Sequence, residues 1–220
     1  NNNLDKFIFS STASVYGNTG NKKVSEKNKL KPLNPYAKSK LKIEKYLIKQ
    51  SKIKKINYLI LRYFNVAGAD KKLRTGLISK SSTNLIKVLC EVANGIRSKF
   101  IINGKNHNTK DGTTIRDFID VTDLSEMHYL AAKHLIKKNK SGIFNCGYGK
   151  GYSILEVLNT FNKFLPKKIH ATFGKKRPKD IEFSVSDIRK FKKSMNWKPK
   201  FDNLENILKS SYLWEKKLKS

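Results

Sequence analysis

Apolar positions along the chain fall into short runs separated by longer periodic stretches. Residues 6–9 form a brief apolar and aromatic run that stops at Ser10-Ser11-Thr12, which predicts a buried strand with three hydroxyls at its carboxyl end. A polar loop rich in Lys and Asn covers 18–33, after which Asn34 and Pro35 supply a helix cap and a first helical residue. Ala37, Leu41, Ile43, Leu47 and Ile48 then recur along one side, predicting a helix over 35–50 that buries them. Residues 56–64 read as a second strand, and strand, helix, strand predicts a right-handed parallel crossover. Ligands of open α/β sheets gather at the carboxyl ends of strands. Here those ends carry the hydroxyl cluster 10–12 and Asn65-Val66-Ala67-Gly68.

The stretch 71–83 has no periodicity and reads as an excursion before a helix over 84–94 that stops at Gly95. A short strand over 100–102 follows, then an Asn-, Lys-, Gly- and Thr-rich loop, then residues 115–124, where Thr122 is expected to cap a helix running to about 138. A strand over 143–146 and a helix over 153–164 come next. Strands over 169–173 and 181–185 flank the charged turn Arg177-Pro178-Lys179-Asp180, and two helices close the chain, with Trp197 and Trp214 expected to pack them. Arg177 and Asp180 suit either a clamp on a polar ligand or a solvated turn. Asp117, Asp120 and Asp123 suit capping and turns better than a hard cation, which needs more oxygen ligands from converging loops. The glycines of Gly147-Tyr148-Gly149-Lys150-Gly151 are spaced G-x-G-x-G, which predicts a tight strand-to-helix connection rather than a dinucleotide turn. The four histidines, 107, 128, 134 and 170, stand in dissimilar contexts without a second ligand at metal spacing, so no metal is assigned.

Composition narrows the class. At 220 residues the chain can form one large domain or two small ones, and 38% hydrophobic residues suffice for a core. No apolar run approaches the ~18 residues that would span a membrane, and no signal peptide is visible. Cys90 and Cys146 lie in apolar stretches, which predicts buried thiols in a reduced compartment such as the cytoplasm. The formal charge of +30 raises the possibility of a basic nucleic-acid-binding module. That charge is spread along the whole chain and is nearly all lysine, with six arginines for bidentate work, so neither a nucleic acid nor a membrane is the expected partner. A small phosphate-bearing substrate suits the field. The chain opens on Asn1-Asn2-Asn3-Leu4 without an initiator methionine, as a piece of a longer protein would.

Chemistry concentrates at Tyr36 and Lys40. Residues four apart share a helix face, and a cation beside a phenol favours the phenolate of a group that ordinarily titrates near ~10. Ser11 or Thr12 could bridge such a phenolate to a substrate. With 9 tyrosines and 41 lysines, roughly two Tyr-x-x-x-Lys pairs arise by chance, and three occur. Tyr129 with Lys133 and Tyr212 with Lys216 lie in amphipathic stretches and read as solvated helix surface. The Tyr36 pair alone follows a hydroxyl-ended strand and a helix cap.

Four segments together, Phe9-Ser10-Ser11-Thr12-Ala13-Ser14-Val15-Tyr16-Gly17, Pro35-Tyr36-Ala37-Lys38-Ser39-Lys40, Arg62-Tyr63-Phe64-Asn65-Val66-Ala67-Gly68-Ala69 and Asp111-Gly112-Thr113-Thr114-Ile115-Arg116-Asp117-Phe118-Ile119-Asp120-Val121, resemble the UDP-glucose 4-epimerase family of extended short-chain dehydrogenase/reductases. The resemblance implies an α/β fold: a partial Rossmann-like parallel sheet lacking its N-terminal strands, with a smaller α/β substrate-binding domain. Residues 1–66 and 113–147 would be the remainder of the NAD-binding domain, and 67–112 and 148–220 the UDP-sugar-binding domain. Implied too are NAD as cofactor, a UDP-sugar as substrate, a homodimeric parent and a reversible redox epimerisation at C4. By motif, Tyr36 is the base, Thr12 the bridging hydroxyl, and Lys40 the ligand of the nicotinamide ribose. Phe64, Ser10 and Ser11 would also meet the cofactor, while Asn65, Asn84, Leu85, Arg116, Arg177 and Asp180 would hold the uridine diphosphate. Ser184 stands where a larger residue would crowd an N-acetyl group, so UDP-N-acetylhexosamines are further expected substrates. A nucleotide-sugar 4,6-dehydratase is disfavoured because Ala13 and Ser14, after Thr12, cannot supply its extra acid and base. A UDP-glucuronate decarboxylase remains open. A chain lacking the glycine-rich first turn of this family is expected to fold poorly alone and to bind no NAD.

Overall fold

A computed structural model describes residues 4–80 and 82–219. The predicted segments that include residues 1–3, 81 and 220 lie at those points outside the described residues. Three parallel strands form the central sheet in the order β1 (Lys6–Thr12), β2 (Asn57–Tyr63), β7 (Gly142–Cys146). β1 and β2 pair over their full length, from Lys6 opposite Asn57 to Thr12 opposite Tyr63. The crossover between them is α1 (Pro35–Lys54), 20 residues long, longer than the 35–50 read from sequence and ended by Lys55 at φ 54°. Ser10, Ser11 and Thr12 belong to β1 itself, because the neighbouring strand supplies ladder partners whatever the side chain.

Successive strand residues face opposite sides of a sheet. Leu59, Leu61 and Tyr63 therefore look to α3 (Val121–Lys138), where Leu124, Met127, Ala131 and Leu135 share their buried cluster. Ile60 and Arg62 look to α1. The face α1 buries differs from the predicted one. Ala37, Leu41 and Leu47 are buried as expected, but Ile43 is exposed and Ile48 only partly covered, while Glu44 is buried. Apolar periodicity is blind to a carboxylate that has a buried cation to meet, and Arg62 is that cation.

β3 (Asn65–Ala67) pairs in parallel with β6 (Phe118–Asp120). Beyond them, α2 (Leu85–Ala93), β4 (Phe100–Asn103), α4 (Ile154–Asn162), β9 (Ala171–Gly174) and α6 (Leu204–Lys219) build the second part of the molecule. A small sheet has the order β10 (Phe183–Ser184), β5 (Ile115–Arg116), β8 (Tyr152–Ser153). One buried cluster runs from Leu59 through Phe161 to Leu208, and α5 (Arg189–Met195) packs Phe191 on Phe144. Among the described residues no helix is long and apolar enough to cross a membrane.

Several local expectations shift. Asp120, not Thr122, caps α3, accepting the Thr122 amide at 2.7 Å. Asp117 accepts amide hydrogens from Tyr148, Gly149 and Ser186, and Asp123 accepts from the Tyr148 hydroxyl and the amides of Lys200 and Phe201, so both are spent on turns. Gly147 has no room for a side chain: a Cβ would stand 2.5 Å from Ser186 Oγ and 2.6 Å from an Asp117 oxygen. Trp197 stacks on Tyr148 and meets Phe191 of α5 edge-on. Trp214 meets the excursion, donating from Nε1 to the Leu77 carbonyl at 3.0 Å.

Candidate active site

The site forms where β1 ends and α1 begins. Asn34, in extended backbone, accepts the Ala37 amide at 2.8 Å and Pro35 occupies the first turn, so the helix starts with Tyr36 at the sheet's carboxyl edge. One turn on, the Lys40 ammonium lies 5.8 Å from the Tyr36 ring centre and donates to the Ser10 carbonyl oxygen at 2.9 Å. Tyr36 is 56% exposed, whereas Thr12 is 8% exposed, its Oγ1 accepting from the Ser14 amide and donating to Ser14 Oγ, both at 3.2 Å.

A cavity of about 780 Å³ opens in front of Thr12 and Tyr36; Lys40 and Ser10 are not among its walls. Its walls include Thr12, Tyr36, Phe64, Asn65, Asn84, Arg116, Asp180 and Ser184, which in sequence are up to 172 positions apart (12 to 184). An adjoining cavity of about 390 Å³ shares Asn65, Asn84, Arg116 and Asp180 and adds Leu85 and Arg177. Asn84 caps α2 by accepting the amides of Ile86 and Lys87, which commits its side-chain oxygen. Arg116 Nη2 lies 3.1 Å from Asp180, and Nη1 donates to the Ile115 carbonyl at 2.9 Å. Burial holds the Arg116 pKa below its ordinary value, against the pull of Asp180. A guanidinium so desolvated gains by meeting an anion. With its amide oxygen turned toward Arg177, Asn103 accepts from Nη2 at 3.0 Å and from Nε at 3.3 Å. The turn is exposed at 177–179, and its ties run from Arg177 to Asn103 and from Asp180 to Arg116.

Ser11 does not reach the cavity. Its hydroxyl is 2% exposed and donates to Glu44 behind the strand, because β alternation sends it to the face opposite Ser10 and Thr12. Of the two candidate bridging hydroxyls, only Thr12 lines the cavity.

Three groups were missed in the sequence. The Tyr63 hydroxyl sits between Ser10 Oγ, at 2.6 Å, and His128 Nε2. His128 Nδ1 lies 2.8 Å from the Leu124 carbonyl oxygen, which can only accept, so Nδ1 donates there. Burial, against the Ser10 contact, pushes the Tyr63 phenol up to about 12. Lys87 also lines the larger cavity, but its ammonium is bound to Glu215 and stands 3.7 Å from Glu91, so its charge is already answered.

Comparison with known proteins gives this geometry a family. The model of the NAD dependent epimerase/dehydratase family matches residues 1–147. The chain belongs to that family. A UDP-glucose 4-epimerase of Azospirillum brasilense is 41% identical over 98% of this chain. The crystal structure of the UDP-glucose 4-epimerase from Bifidobacterium longum in complex with NAD+ and UDP superimposes with a TM-score of 0.91 at 33% identity, over 98% of this chain and 64% of that one. The UDP-Glc/GlcNAc 4-epimerase of Campylobacter jejuni is 44% identical, with a TM-score of 0.79 over 97% of this chain and 65% of that one. The chain spans 62% of the length of the Azospirillum relative. For an NAD dependent epimerase/dehydratase, the exposed hydroxyls of Tyr36 and Ser10 and the half-buried ammonium of Lys40 are donors of the kind that hold a ribose.

Proposed function

We propose that this chain carries the catalytic and nucleotide-sugar-binding groups of an NAD-dependent epimerase that interconverts UDP-glucose and UDP-galactose through a 4-keto sugar. The observation behind this is the convergence of Thr12, Tyr36, Asn65, Arg116, Asp180 and Ser184 on one cavity of about 780 Å³. Tyr36 is the base that takes the C4 hydroxyl proton, with the Lys40 ammonium one helical turn on, 5.8 Å from its ring centre. Thr12 bridges the sugar oxygen to Tyr36 and keeps it in line for transfer. When bound, NAD+ would supply the hydride acceptor and donor for C4, leaving the proton to Tyr36. Tyr36 holds the proton while the keto sugar turns over, then gives it back, so neither water nor an outside acid is consumed. Arg116 and Arg177 pair with the two phosphates, where guanidinium geometry suits oxyanions, and Asp180, Asn65, Asn84 and Leu85 hold the uridine. Phe64 would meet the nicotinamide, and Lys40 and Ser10 would hold its ribose. In this reading 1–66 with 113–147 carry the cofactor, and 67–112 with 148–220 carry the UDP-sugar.

Ser184 leaves room beside the sugar, and a 44% identical relative is described as a UDP-Glc/GlcNAc 4-epimerase. The parent therefore acts on UDP-N-acetylglucosamine as well; turnover of UDP-galactose alone would sink that extension. Exposed Ile43, Tyr46 and Ile53 on the outer side of α1 suit a homodimer contact, which sedimentation of the full-length protein would check against a monomer mass. The test of the main reading is UDP-galactose turnover by the full-length protein and its Tyr36→Phe variant. Loss of at least about a hundredfold in kcat is expected; a variant as active as the parent would overturn the assignment.

A further inference from the structure

Beneath the site, on the face of the sheet that α1 covers, lies a chain of buried polar groups. Arg62 of β2 is 2% exposed and Glu44 of α1 is 1% exposed. They meet as a fork, with Nη2 2.6 Å from Oε2 and Nε 3.1 Å from Oε1. The third arm of Arg62, Nη1, donates to the Tyr16 hydroxyl at 3.0 Å, and Tyr16 donates to Asn145 of β7 at 2.7 Å. Asn145 in turn donates to the Val24 carbonyl at 2.7 Å. On the other side Ser11 donates to Glu44. All three strands of the central sheet and α1 are thus joined by directional bonds, every member of which is under 3% exposed.

A buried ion pair is poor economy as a source of stability, since apolar residues of similar volume often do as well or better. Apolar contacts, however, tolerate rotation of a helix about its axis, and a bidentate fork does not. Tyr36, Lys40 and Glu44 succeed one another at intervals of four, so the angle at which Glu44 enters the sheet fixes where the other two point. With a Cα about 2.3 Å from the axis and a tyrosine reaching about 6 Å further, a turn of about 10° sweeps the hydroxyl about 1.5 Å. A misplacement of about 1 Å can cost a hundredfold in rate. Ser11 ties the same carboxylate to the residue preceding Thr12.

We infer that the Glu44–Arg62 pair, with Ser11, is a positioning device that sets the rotation of the Tyr36 helix against the Thr12 strand. This rests on the proposed roles of Tyr36 and Thr12. Neither residue lines either cavity, so removal of the pair should move kcat and leave binding alone.

In the full-length protein, the double variant Glu44→Met with Arg62→Met keeps the volume buried and leaves no charge unpaired. Its expected behaviour is a melting temperature equal to or above the parent's, a KM for UDP-galactose and a Kd for UDP within about twofold, and kcat reduced at least thirtyfold. A folded double variant that keeps kcat within threefold would overturn the inference. Should the double variant not fold, Ser11→Ala decides, since it frees Glu44 from β1 and keeps the ion pair. There kcat is expected to fall about tenfold at unchanged KM, and full kcat would equally overturn the inference. Tyr36→Phe on the same protein separates the two claims. An active Tyr36→Phe variant refutes the proposed base, whereas an inactive one beside an active double variant refutes the clamp alone.

Discussion

Arg116→Met is the substitution whose effect the structure lets one size. A guanidinium has five N–H donors, and here one goes to the Ile115 carbonyl and one to Asp180. Three remain, enough for a fork on a phosphate. Methionine keeps the volume and removes the charge, so packing around residue 116 is preserved while the fork is lost. Net hydrogen bonds to charged groups are worth about 1.5–3 kcal/mol. Counting one such bond as lost, with Asp180 left without its cation, UDP binding should weaken roughly 10- to 150-fold. Titration calorimetry of UDP into the full-length protein measures this directly. An unchanged melting temperature would show that the loss is one of binding. Arg116→Lys should fall between parent and Met, because a point charge remains but the planar fork does not. A Met variant that binds UDP within threefold of the parent would refute the placement of the pyrophosphate at Arg116.

Three further outcomes follow from other parts of the molecule. Gly147→Ala drives a methyl against Ser186 and the fully bonded carboxylate of Asp117, and should cost about 1–3 kcal/mol in urea unfolding; an unchanged midpoint would show that this turn is looser than described. Asp111 is pushed up by burial but held lower overall by bonds from Ser153 and Thr113. Its contribution to stability is therefore complete above the unfolded value of about 3.9 and fades as pH falls through the lower folded one; Asp111→Asn should lower stability at neutral pH and flatten its decline below about pH 4, and an unaltered decline would contradict the assignment. Finally, the chain spans only 64% of a relative solved with NAD+, so the 220-residue chain expressed alone should release no NAD on heat denaturation, and stoichiometric release would argue that the cofactor site is complete without further residues.

Much of the site was legible because its signals are local. An Asn-Pro helix start, a tyrosine and a lysine one turn apart, and hydroxyls closing an apolar run each depend on a few neighbouring residues. The strands of the central sheet could be read in the same way, and their boundaries moved mainly where a partner strand extended them, as at Ser10, Ser11 and Thr12. Spacing alone could not tell Ser11 from Thr12 as the bridging hydroxyl. The alternation that separates them is visible only once β1 is known to run to Thr12 and one face is known to be covered by Glu44.

What the sequence by itself determined was the order of elements, the Tyr36 and Lys40 pair, and the resemblance that named a chemistry. Tertiary structure alone decided which face of α1 is buried, since a helix reads as amphipathic from its apolar residues while Glu44 owes its burial to Arg62, 18 positions away. It decided likewise the meeting of Tyr63 with His128, 65 positions apart, and of Arg116 with Asp180, 64 apart. The physical reason is common to all three. A polar group may be buried only where its partner waits, and that partner is supplied by the topology of the sheet rather than by neighbours along the chain.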